Sequence, residues 1–418
     1  MKVIIHQFGV LLYIGSMQVT LQDIQNARIQ IQKFINTTIC DYSKSATDLL
    51  GAEVYFKLEN TQRTGSFKIR GATNKIINLT EEEKRRGVIA CSAGNHAQGV
   101  ALSSTMNGVK SVIIMPENAP IAKIQATKSY GAEVVLYGSM FDEAKEYAYK
   151  LAQDKGYVFV HPYEDEQVIA GQGTIGLELL EQVKDLDTVV IPIGGGGLIS
   201  GISVALKSLN PKIRIIGVQT ELVSTMVQMF QNKKFEPLTQ AVSTLADGIA
   251  VKTPSLDMFD SFISKYVDEV TTVSEGEIAE AIVFLLERVK TVAEGSGAVA
   301  LAAALSRKIK LGRKNVLLVC GGNIDLNIIS AIITRGQIQR GRLCELSVVV
   351  ADVPGSLSRL TQILAEHRAN ILEVHHDRLR HGLSLKETRI DFVIETMSHE
   401  HIQKIINALK LSGALVTI

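Results

Sequence analysis

The chain has 418 residues, of which 46% are apolar and 21% are charged, and its formal net charge is +1. This length predicts two or three domains, and the near-neutral charge argues against nucleic acid or an anionic membrane as a partner. The four cysteines are widely spaced and form no CxxC pair, which argues against a metal site or a disulfide framework and favours the reducing cytoplasm.

The first 16 residues differ in character from the rest of the chain. Residues 4–14 are apolar, but a single lysine precedes them and no clear small-residue cleavage pattern follows. We therefore expect a disordered extension over residues 1–16, with Met17 as an alternative start and a signal peptide as the competing interpretation. No apolar run reaches the roughly 20 residues that a membrane-spanning helix needs.

Beyond this extension, short apolar segments alternate with amphipathic ones. A helical pattern covers residues 21–39, and the segment 53–59 has the pattern of a strand. Further strands are predicted at 88–92, 111–116, 132–138, 157–162, 188–193, 213–219 and 316–320, with helices at 97–106, 122–130 and 141–155. Continuous apolar strands separated by helices predict an α/β fold with a mostly parallel sheet, whose ligands bind beyond the carboxyl ends of the strands.

The pattern changes near Gly341. From there the order is strand, helix, strand, strand, helix, strand, which predicts a ferredoxin-like module. We place the boundary in the Gly- and Arg-rich stretch 334–342. The expected domains are thus 17–335, with a small subdomain inserted at about 60–160, and 342–418.

Lys68 lies in the segment SFKIRGA, close to the start of a predicted helix. The positive end of a helix dipole favours the neutral form of a lysine, and a neutral amine is what Schiff-base chemistry requires. A surface lysine in a first helical turn is the alternative, and spacing alone favours it.

Ser92 opens the segment SAGNHAQG, which directly follows a buried strand and leads into a helix. Backbone N–H groups in such a turn can bind a carboxylate or a phosphate. An Asx-type helix cap is the alternative for the same residues.

The segment VVIPIGGGGLISG contains four successive glycines between a strand and a helix. Glycines leave the backbone N–H groups of such a loop open to an anion. A dinucleotide-binding loop is a competing interpretation, but from Gly195 the pattern reads G-x-G-x-x-Ser, without the third glycine. Cys320 ends a later strand in VLLVCGGN and either faces a cofactor or is a packed core residue.

Together these segments, followed in order by ADG, AEGSGA and CGGN, resemble the threonine dehydratases (threonine ammonia-lyases) of the tryptophan-synthase-β-like pyridoxal-phosphate family. The resemblance covers roughly residues 20–335 and implies fold type II, with two open twisted, mostly parallel sheets covered by helices. The segment ADVPGSLSRL resembles the ligand loop of ACT regulatory domains.

The resemblance also implies roles for individual residues. Lys68 would hold pyridoxal phosphate as a Schiff base and then take the α-proton of the substrate, with Ser92 as a second catalytic residue. The other implied cofactor contacts are Phe67, Asn95, Gly194, Gly195, Gly196, Gly197, Gly248 and Cys320. The implied substrate loop is Ser92, Ala93, Gly94, Asn95 and His96, and the implied regulatory-ligand residues are Asp352, Pro354, Gly355, Ser356 and Leu357.

Three positions refine the expected chemistry. Cys320 matches the position that faces the pyridine nitrogen, and a neutral thiol there favours rapid loss of a β-leaving group over a long-lived carbanion. Ala93 stands where the similar serine racemases carry a second serine as a base, which argues against racemisation. Gln219 stands where those relatives carry an acidic cation ligand, which argues against a divalent metal and leaves a monovalent cation open.

We therefore expect β-elimination of L-threonine, and of L-serine as a second substrate, to a 2-oxo acid and ammonia. The alternatives are a racemase of the same family, a non-catalytic amino-acid sensor and a nicotinamide-dependent dehydrogenase. The C-terminal module would bind an amino-acid effector, isoleucine or valine, within a homodimer or homotetramer. His375, His376 and His381 are interpreted as a solvated strand and loop, because neighbouring strand residues point to opposite faces.

Overall fold

The computed structural model describes residues 17–236, 238, 242–378 and 383–417. The expected extension 1–16 and His381 lie outside the described residues. The chain divides into two compact units, Met1–Ile324 and Asp325–Ile418. Within the described ranges, no helix combines the length and the apolar character that crossing a bilayer requires.

The first unit alternates strands and helices along the chain. Its strands are β1 Cys40–Tyr42, β2 Glu53–Leu58, β3 Val88–Cys91, β4 Ser111–Met115, β5 Glu133–Leu136, β6 Val158–Phe159, β7 Thr188–Pro192, β8 Arg214–Thr220, β9 Glu269–Val273 and β10 Lys314–Val319. Its helices are α1 Leu21–Ile31, α2 Lys44–Leu50, α3 Lys68–Ile77, α4 Glu81–Arg86, α5 Asn95–Met106, α6 Ile121–Ser129, α7 Phe141–Lys155, α8 Glu166–Gln182, α9 Gly197–Leu209, α10 Thr225–Asn232, α11 Leu256–Met258, α12 Ser264–Tyr266, α13 Glu275–Phe284 and α14 Gly295–Leu305. Two π-helical turns, Phe259–Ile263 and Leu285–Val289, interrupt or extend these helices.

The strands of the first unit form two sheets. The larger has the order β1-β2-β10-β7-β8-β9 and is parallel apart from the antiparallel pair β1 and β2. The smaller has the order β5-β4-β3-β6, is wholly parallel, and falls in the chain between β2 and β7. Every residue of β3, β4 and β7 is buried, as expected for strands covered on both faces. The predicted α/β class with two mostly parallel sheets is confirmed.

The first helix is shorter than its sequence pattern predicted. The pattern extended to residue 39, whereas α1 ends at Ile31. Beyond it, the carbonyl of Asn36 accepts from the Gln62 side chain, and the carbonyl of Thr38 accepts from Lys57 Nζ at 2.8 Å. These carbonyls bond to side chains from elsewhere in the fold, so tertiary contacts override the helical pattern here.

Helix α8 makes backbone contact with two other helices through its glycines. A Cβ atom on Gly171 would lie 2.6 Å from the carbonyl oxygen of Arg70 in α3. A Cβ atom on Gly173 would lie 2.8 Å from the carbonyl oxygen of Gly201 in α9. No side chain fits at either crossing, so α3 and α9 are both held directly against the backbone of α8.

A buried network of charges ties α3 to its neighbours. The guanidinium of Arg70 donates to Glu59 at 2.7 Å and to Glu178 of α8 at 2.6 Å, and Lys57 of β2 donates to the same Glu178 at 2.5 Å. All four side chains are at most 4% exposed. Burial works to raise the pKa of Glu59, but the positive charges of Arg70 and Lys57 hold it below its usual value.

The second unit has one sheet with two helices packed against its core. Its elements are α15 Leu326–Gln339, β11 Leu343–Ala351, α16 Ser356–Glu366, β12 Asn370–Asp377, β13 Glu387–Glu395, α17 His399–Leu411 and β14 Leu415–Thr417. The sheet is antiparallel with the order β12-β13-β11-β14. From β11 onward the order of elements is the predicted ferredoxin-like one, which is confirmed. Helix α15 belongs to this unit, so the compact units divide before the stretch 334–342 in which the domain boundary was expected.

Candidate active site

Lys68 is the first residue of α3, as its sequence context predicted. Its Nζ atom donates a hydrogen bond to the carbonyl oxygen of Pro162 at 3.0 Å and lies 5.2 Å from the centre of the Phe67 ring. Burial lowers the pKa of Lys68 to about 8, against weaker opposing influences from Cys320 and Glu294. About a tenth of this amine is therefore unprotonated at pH 7, far more than for a lysine with the usual pKa of about 10.4, and the unprotonated form is the nucleophile.

The backbone just before α3 places Lys68 beside the end of β10. Ser66 forms an isolated antiparallel bridge with Gly321, and Phe67 N–H donates to the carbonyl oxygen of Cys320 at 3.1 Å. The Cys320 side chain is 2% exposed, and its thiol donates to the carbonyl oxygen of Ser296 at 3.4 Å. Burial raises the pKa of Cys320 well above its usual value, so the group remains a neutral thiol.

The four glycines 194–197 connect β7 to α9. Gly196 has a φ of 97°, a left-handed conformation that favours glycine, and it caps α9. A Cβ atom on Gly195 would overlap the ring of Tyr163, and one on Gly194 would lie 3.0 Å from the Cα atom of Ile249. The loop thus exposes backbone N–H groups at a helix N-terminus, which is a favourable place for a phosphate.

The predicted substrate loop follows β3 directly. The N–H of Gly94 donates to Ser92 Oγ at 3.2 Å, and α5 begins at Asn95, with Ala93 in the turn between them. His96 Nε2 donates to the carbonyl oxygen of Val160 at 2.8 Å, since a carbonyl only accepts. The Nδ1 atom of His96 is then unprotonated, and burial lowers the pKa of this imidazole to about 3.

Glu294 is a site residue to which the sequence analysis gave no role. It lies 6% exposed at the N-cap position of α14, and its Oε1 atom accepts a hydrogen bond from Asn95 Nδ2 at 2.7 Å. Burial and the nearby Asp247 raise the pKa of Glu294 to about 8. The sequence signal was a single acidic residue in the segment AEGSGA, between apolar neighbours.

The segment 161–164 was also missed. Pro162 receives the hydrogen bond of Lys68, and Tyr163 packs its ring against Gly195. His161 Nδ1 accepts from the N–H of Glu164 at 2.8 Å, which fixes the turn. The sequence analysis predicted only a strand ending at residue 162, because the contacts with Lys68 and Gly195 are made by distant parts of the chain.

The predicted cofactor residues therefore meet at one place in the first unit. The remaining one, Gly248, would have its Cβ atom 2.8 Å from Ser296 Oγ and 3.6 Å from Glu294 Oε1. Among the buried polar atoms described, Ser66 Oγ and Ser296 Oγ have no hydrogen-bond partner. An amine with a lowered pKa, a glycine loop suited to an anion, and the unpartnered hydroxyl groups of Ser66 and Ser296 fit pyridoxal phosphate.

The position at which the similar serine racemases carry an acidic cation ligand holds an amide side chain in this chain. Gln219 is fully buried, and its Oε1 atom accepts from the N–H of Val227 at 3.0 Å. In the part of the chain that the structure describes, no group of three or more His, Cys, Asp or Glu side chains is arranged to hold a metal. His375 and His376 are consecutive residues of β12.

In the second unit, the turn between β11 and α16 lines a cavity. Its five predicted ligand residues, Asp352, Pro354, Gly355, Ser356 and Leu357, all line this cavity together with His376, Arg378 and Ile390. Arg378 Nε lies 3.1 Å from Asp352 Oδ1. The lining of this cavity thus carries both signs of charge beside apolar side chains.

Comparison with known proteins supports this picture. The family model described as pyridoxal-phosphate dependent enzyme matches residues 31–322, and the ACT domain model matches residues 345–410. The chain is 47% identical to an L-threonine ammonia-lyase of Thermotoga maritima over 400 residues, which cover 96% of this chain and 99% of that protein. Among solved structures it is similar to processed threonine deaminase isoform 2 from Solanum lycopersicum, with 37% identity, a TM-score of 0.71, and coverage of 75% of this chain and 86% of that chain. Maize serine racemase is 34% identical with a TM-score of 0.71, covering 77% of this chain and 98% of that chain.

Proposed function

The chain belongs to the family of pyridoxal-phosphate-dependent enzymes, and from this premise we propose that it is an L-threonine ammonia-lyase. It would convert L-threonine to 2-oxobutanoate and ammonia, and L-serine to pyruvate and ammonia. The observation that carries the proposal is the partly buried amine of Lys68, whose pKa is lowered and which donates to the carbonyl of Pro162. The next residue, Tyr163, packs its ring against Gly195 of the glycine loop. Membership of this family also argues against the alternative interpretation as a nicotinamide-dependent dehydrogenase.

Pyridoxal phosphate, when bound, supplies a ring that withdraws electrons from the substrate α-carbon. Lys68 would bind it covalently and remove the α-proton, since its amine is unprotonated for a useful fraction of the time. The N–H groups of the loop 194–197 would bind the cofactor phosphate. The loop 92–96 would bind the substrate carboxylate through its N–H groups and the hydroxyl of Ser92.

The thiol of Cys320 favours elimination over other outcomes. Its pKa is raised by burial, and its proton is donated to the Ser296 carbonyl. It therefore supplies no strong charge-assisted hydrogen bond that would keep a ring nitrogen protonated, as an aspartate would. Cys320 would thus leave the bound ring a weaker electron sink, a setting that would suit loss of the β-hydroxyl better than a long-lived carbanion.

Racemisation is the second candidate, because maize serine racemase is among the similar structures. A racemase needs a proton donor on the face of the substrate opposite the lysine. At the position where the similar serine racemases carry a second serine, this chain has Ala93, whose methyl group has no exchangeable proton. Ala93 therefore cannot serve as the second base of a racemase, and this favours the lyase.

We also propose that the second unit regulates the first. The supporting observation is the cavity at 352–357, whose opposite charges suit the two charged groups of a free amino acid and whose apolar lining suits isoleucine or valine. A homodimer or homotetramer in the cytoplasm is the expected form, and the four unpaired cysteines are consistent with a reducing compartment.

The proposal is tested by the absorption spectrum of the purified protein and by 2-oxobutanoate formation after threonine is added. Lys68→Ala should abolish both the visible absorption of bound cofactor and turnover. Lys75→Ala is the matched control, because Lys75 lies on the same helix but pairs with Asp165 at 2.7 Å. Turnover by Lys68→Ala at the rate of the control, or racemisation without ammonia release, would contradict the assignment.

A further inference from the structure

Glu294 is a buried carboxyl group that the mechanism above does not use. It is 6% exposed, and the hydrogen-bond partner of its Oε1 atom is the Asn95 amide, at 2.7 Å, rather than a cation. A buried carboxyl group is costly unless its contacts favour it, so this position calls for a specific role.

The hydrogen bonds around Asn95 determine which way its amide points. Asn323 Nδ2 donates to the backbone carbonyl of Thr64 at 2.7 Å, which fixes the orientation of the Asn323 amide. The same nitrogen donates to Asn95 Oδ1 at 2.7 Å, so Asn95 Nδ2 must lie on the side of Glu294. An amide nitrogen has two hydrogens, and Glu294 takes one of them, which leaves the second for another acceptor.

We propose that Glu294 is a positioning residue that holds the Asn95 amide so that its second N–H is available to the ring hydroxyl of the cofactor. This inference rests on the proposed function, because the cofactor contact of Asn95 belongs to it. Without Glu294, the Asn95 amide loses the acceptor that opposes its rotation.

Gly321 keeps space for this carboxyl group. A Cβ atom on Gly321, which directly follows Cys320, would overlap Glu294 Oε1. The chain therefore lacks a side chain at a position that the Glu294 carboxyl group occupies, as expected if this group must reach Asn95.

The charges that face Glu294 come from several elements. Burial, the largest influence, and Asp247 raise its pKa to about 8, whereas Lys123 and Lys68 act to lower it. Cys320, another titratable neighbour of Glu294, is a neutral thiol. At neutral pH the carboxyl group is therefore mostly protonated, and one of its oxygens still accepts from Asn95. Above about pH 8 it becomes an anion beside the cofactor site.

Two substitutions in the full-length enzyme separate orientation from charge. Glu294→Gln keeps an accepting oxygen but cannot titrate, whereas Glu294→Met has a similar length and no acceptor. The readouts are the dissociation constant of pyridoxal phosphate and the visible absorption of the bound cofactor between about pH 6.5 and pH 9.5, a range that spans the raised pKa of about 8. Glu269→Gln is the control, because that carboxylate pairs with Arg214 outside the site.

We expect Glu294→Met to bind the cofactor about tenfold more weakly, the loss that one hydrogen bond to a positioning group accounts for. Glu294→Gln should keep the affinity of the wild type within about threefold. It should also lose the spectral transition near pH 8, while the wild type and Glu269→Gln retain it.

The inference is overturned if Glu294→Met binds as tightly as the wild type with the same spectrum, or if Glu294→Gln is impaired as severely as Glu294→Met. Circular dichroism checks that each variant is folded. If Glu294→Met does not fold, a transition near pH 8 that persists in Glu294→Gln overturns it. Failure of the wild type to bind pyridoxal phosphate would instead refute the proposed function.

Discussion

Replacing Arg70 by methionine should destabilise the first unit far more than any comparable surface change. Arg70 is fully buried in α3, and its guanidinium donates to Glu59 and to both carboxylate oxygens of Glu178. Methionine keeps an unbranched apolar stem of similar length but supplies no donor. The variant would leave two buried carboxylates with Lys57 as the remaining cation of the network.

The expected loss is about 4 kcal/mol, since removing one partner of a buried ion pair typically costs about 3–5 kcal/mol. For a unit of roughly 300 residues, with an unfolding entropy of about 2.1 cal/mol/K per residue, we expect a fall in melting temperature of about 6 °C. Arg28→Met is the matched control. Arg28 also pairs with a glutamate of α8, Glu181, at 2.5 Å, but the two side chains are 38% and 58% exposed. An exposed pair of this kind contributes at most about 1 kcal/mol.

Urea denaturation followed by far-ultraviolet circular dichroism measures both losses, because the chain contains no tryptophan for fluorescence. Equal slopes of the unfolding free energy against urea would show that the variants differ in stability rather than in unfolded-state compactness. The wild type, Arg70→Met and Arg28→Met should be compared with the cofactor removed, so that ligand binding does not shift the midpoints.

The difference in the free energy of unfolding between the wild type and Arg70→Met should become smaller as the pH falls from about 7.5 to about 5. In the wild type, the lowered pKa of Glu59 gives stability that is fully present above its unfolded value of about 4.3 and is lost only below it. In the variant, burial without Arg70 should raise that pKa, so protonation relieves the uncompensated charge at higher pH. This reasoning would be refuted if Arg70→Met unfolded at a urea midpoint no lower than that of Arg28→Met.

Three other results are expected. The rate at which apoenzyme takes up pyridoxal phosphate should rise about tenfold between about pH 7 and pH 9, because burial lowers the pKa of Lys68 to about 8; a profile parallel to that of free butylamine would contradict this. Gly195→Ala should weaken cofactor binding at least tenfold, since its methyl group would overlap the Tyr163 ring, and Tyr163→Ala in the same chain should restore part of the affinity; no recovery in an equilibrium titration would contradict the packing argument. Arg378→Ala should raise about tenfold the concentration of isoleucine or valine needed to change activity, because Arg378 and Asp352 line one cavity. Activity without either amino acid should be unchanged. An unaltered response to both amino acids would contradict the proposed effector site.

Local sequence patterns located the loops of the candidate site, and the family resemblance supplied the roles of their residues. Lys68, the loop 92–96, the glycines 194–197 and Cys320 each follow a strand, directly or after a short connection. Ligands of parallel sheets bind beyond the carboxyl ends of the strands, so these loops were the segments to consider. The alternation of strands and helices predicted a mostly parallel α/β sheet, and the division into two sheets was implied by the resemblance.

The residues that were missed depend on pairings that no local pattern encodes. Glu294 contacts Asn95 across 199 positions of sequence, and only the folded chain shows that they meet. Arg70 looks like an ordinary polar residue of an amphipathic helix, because its partner Glu178 lies 108 positions away. Helix α1 ends before the predicted residue for a similar reason. Backbone carbonyls beyond residue 31 accept hydrogen bonds from side chains of β2 and neighbouring segments.

The glycine crossings of α8 have a consequence for how the enzyme meets its cofactor. One crossing fixes the helix that begins with Lys68, and the other fixes the helix that begins at the end of the glycine loop. The distance between the Lys68 amine and the backbone N–H groups of the glycine loop is therefore fixed by direct backbone contacts of α8 with α3 and α9. The cofactor site would therefore be preorganised in the apoenzyme, and the protein would lose little conformational entropy when the cofactor binds.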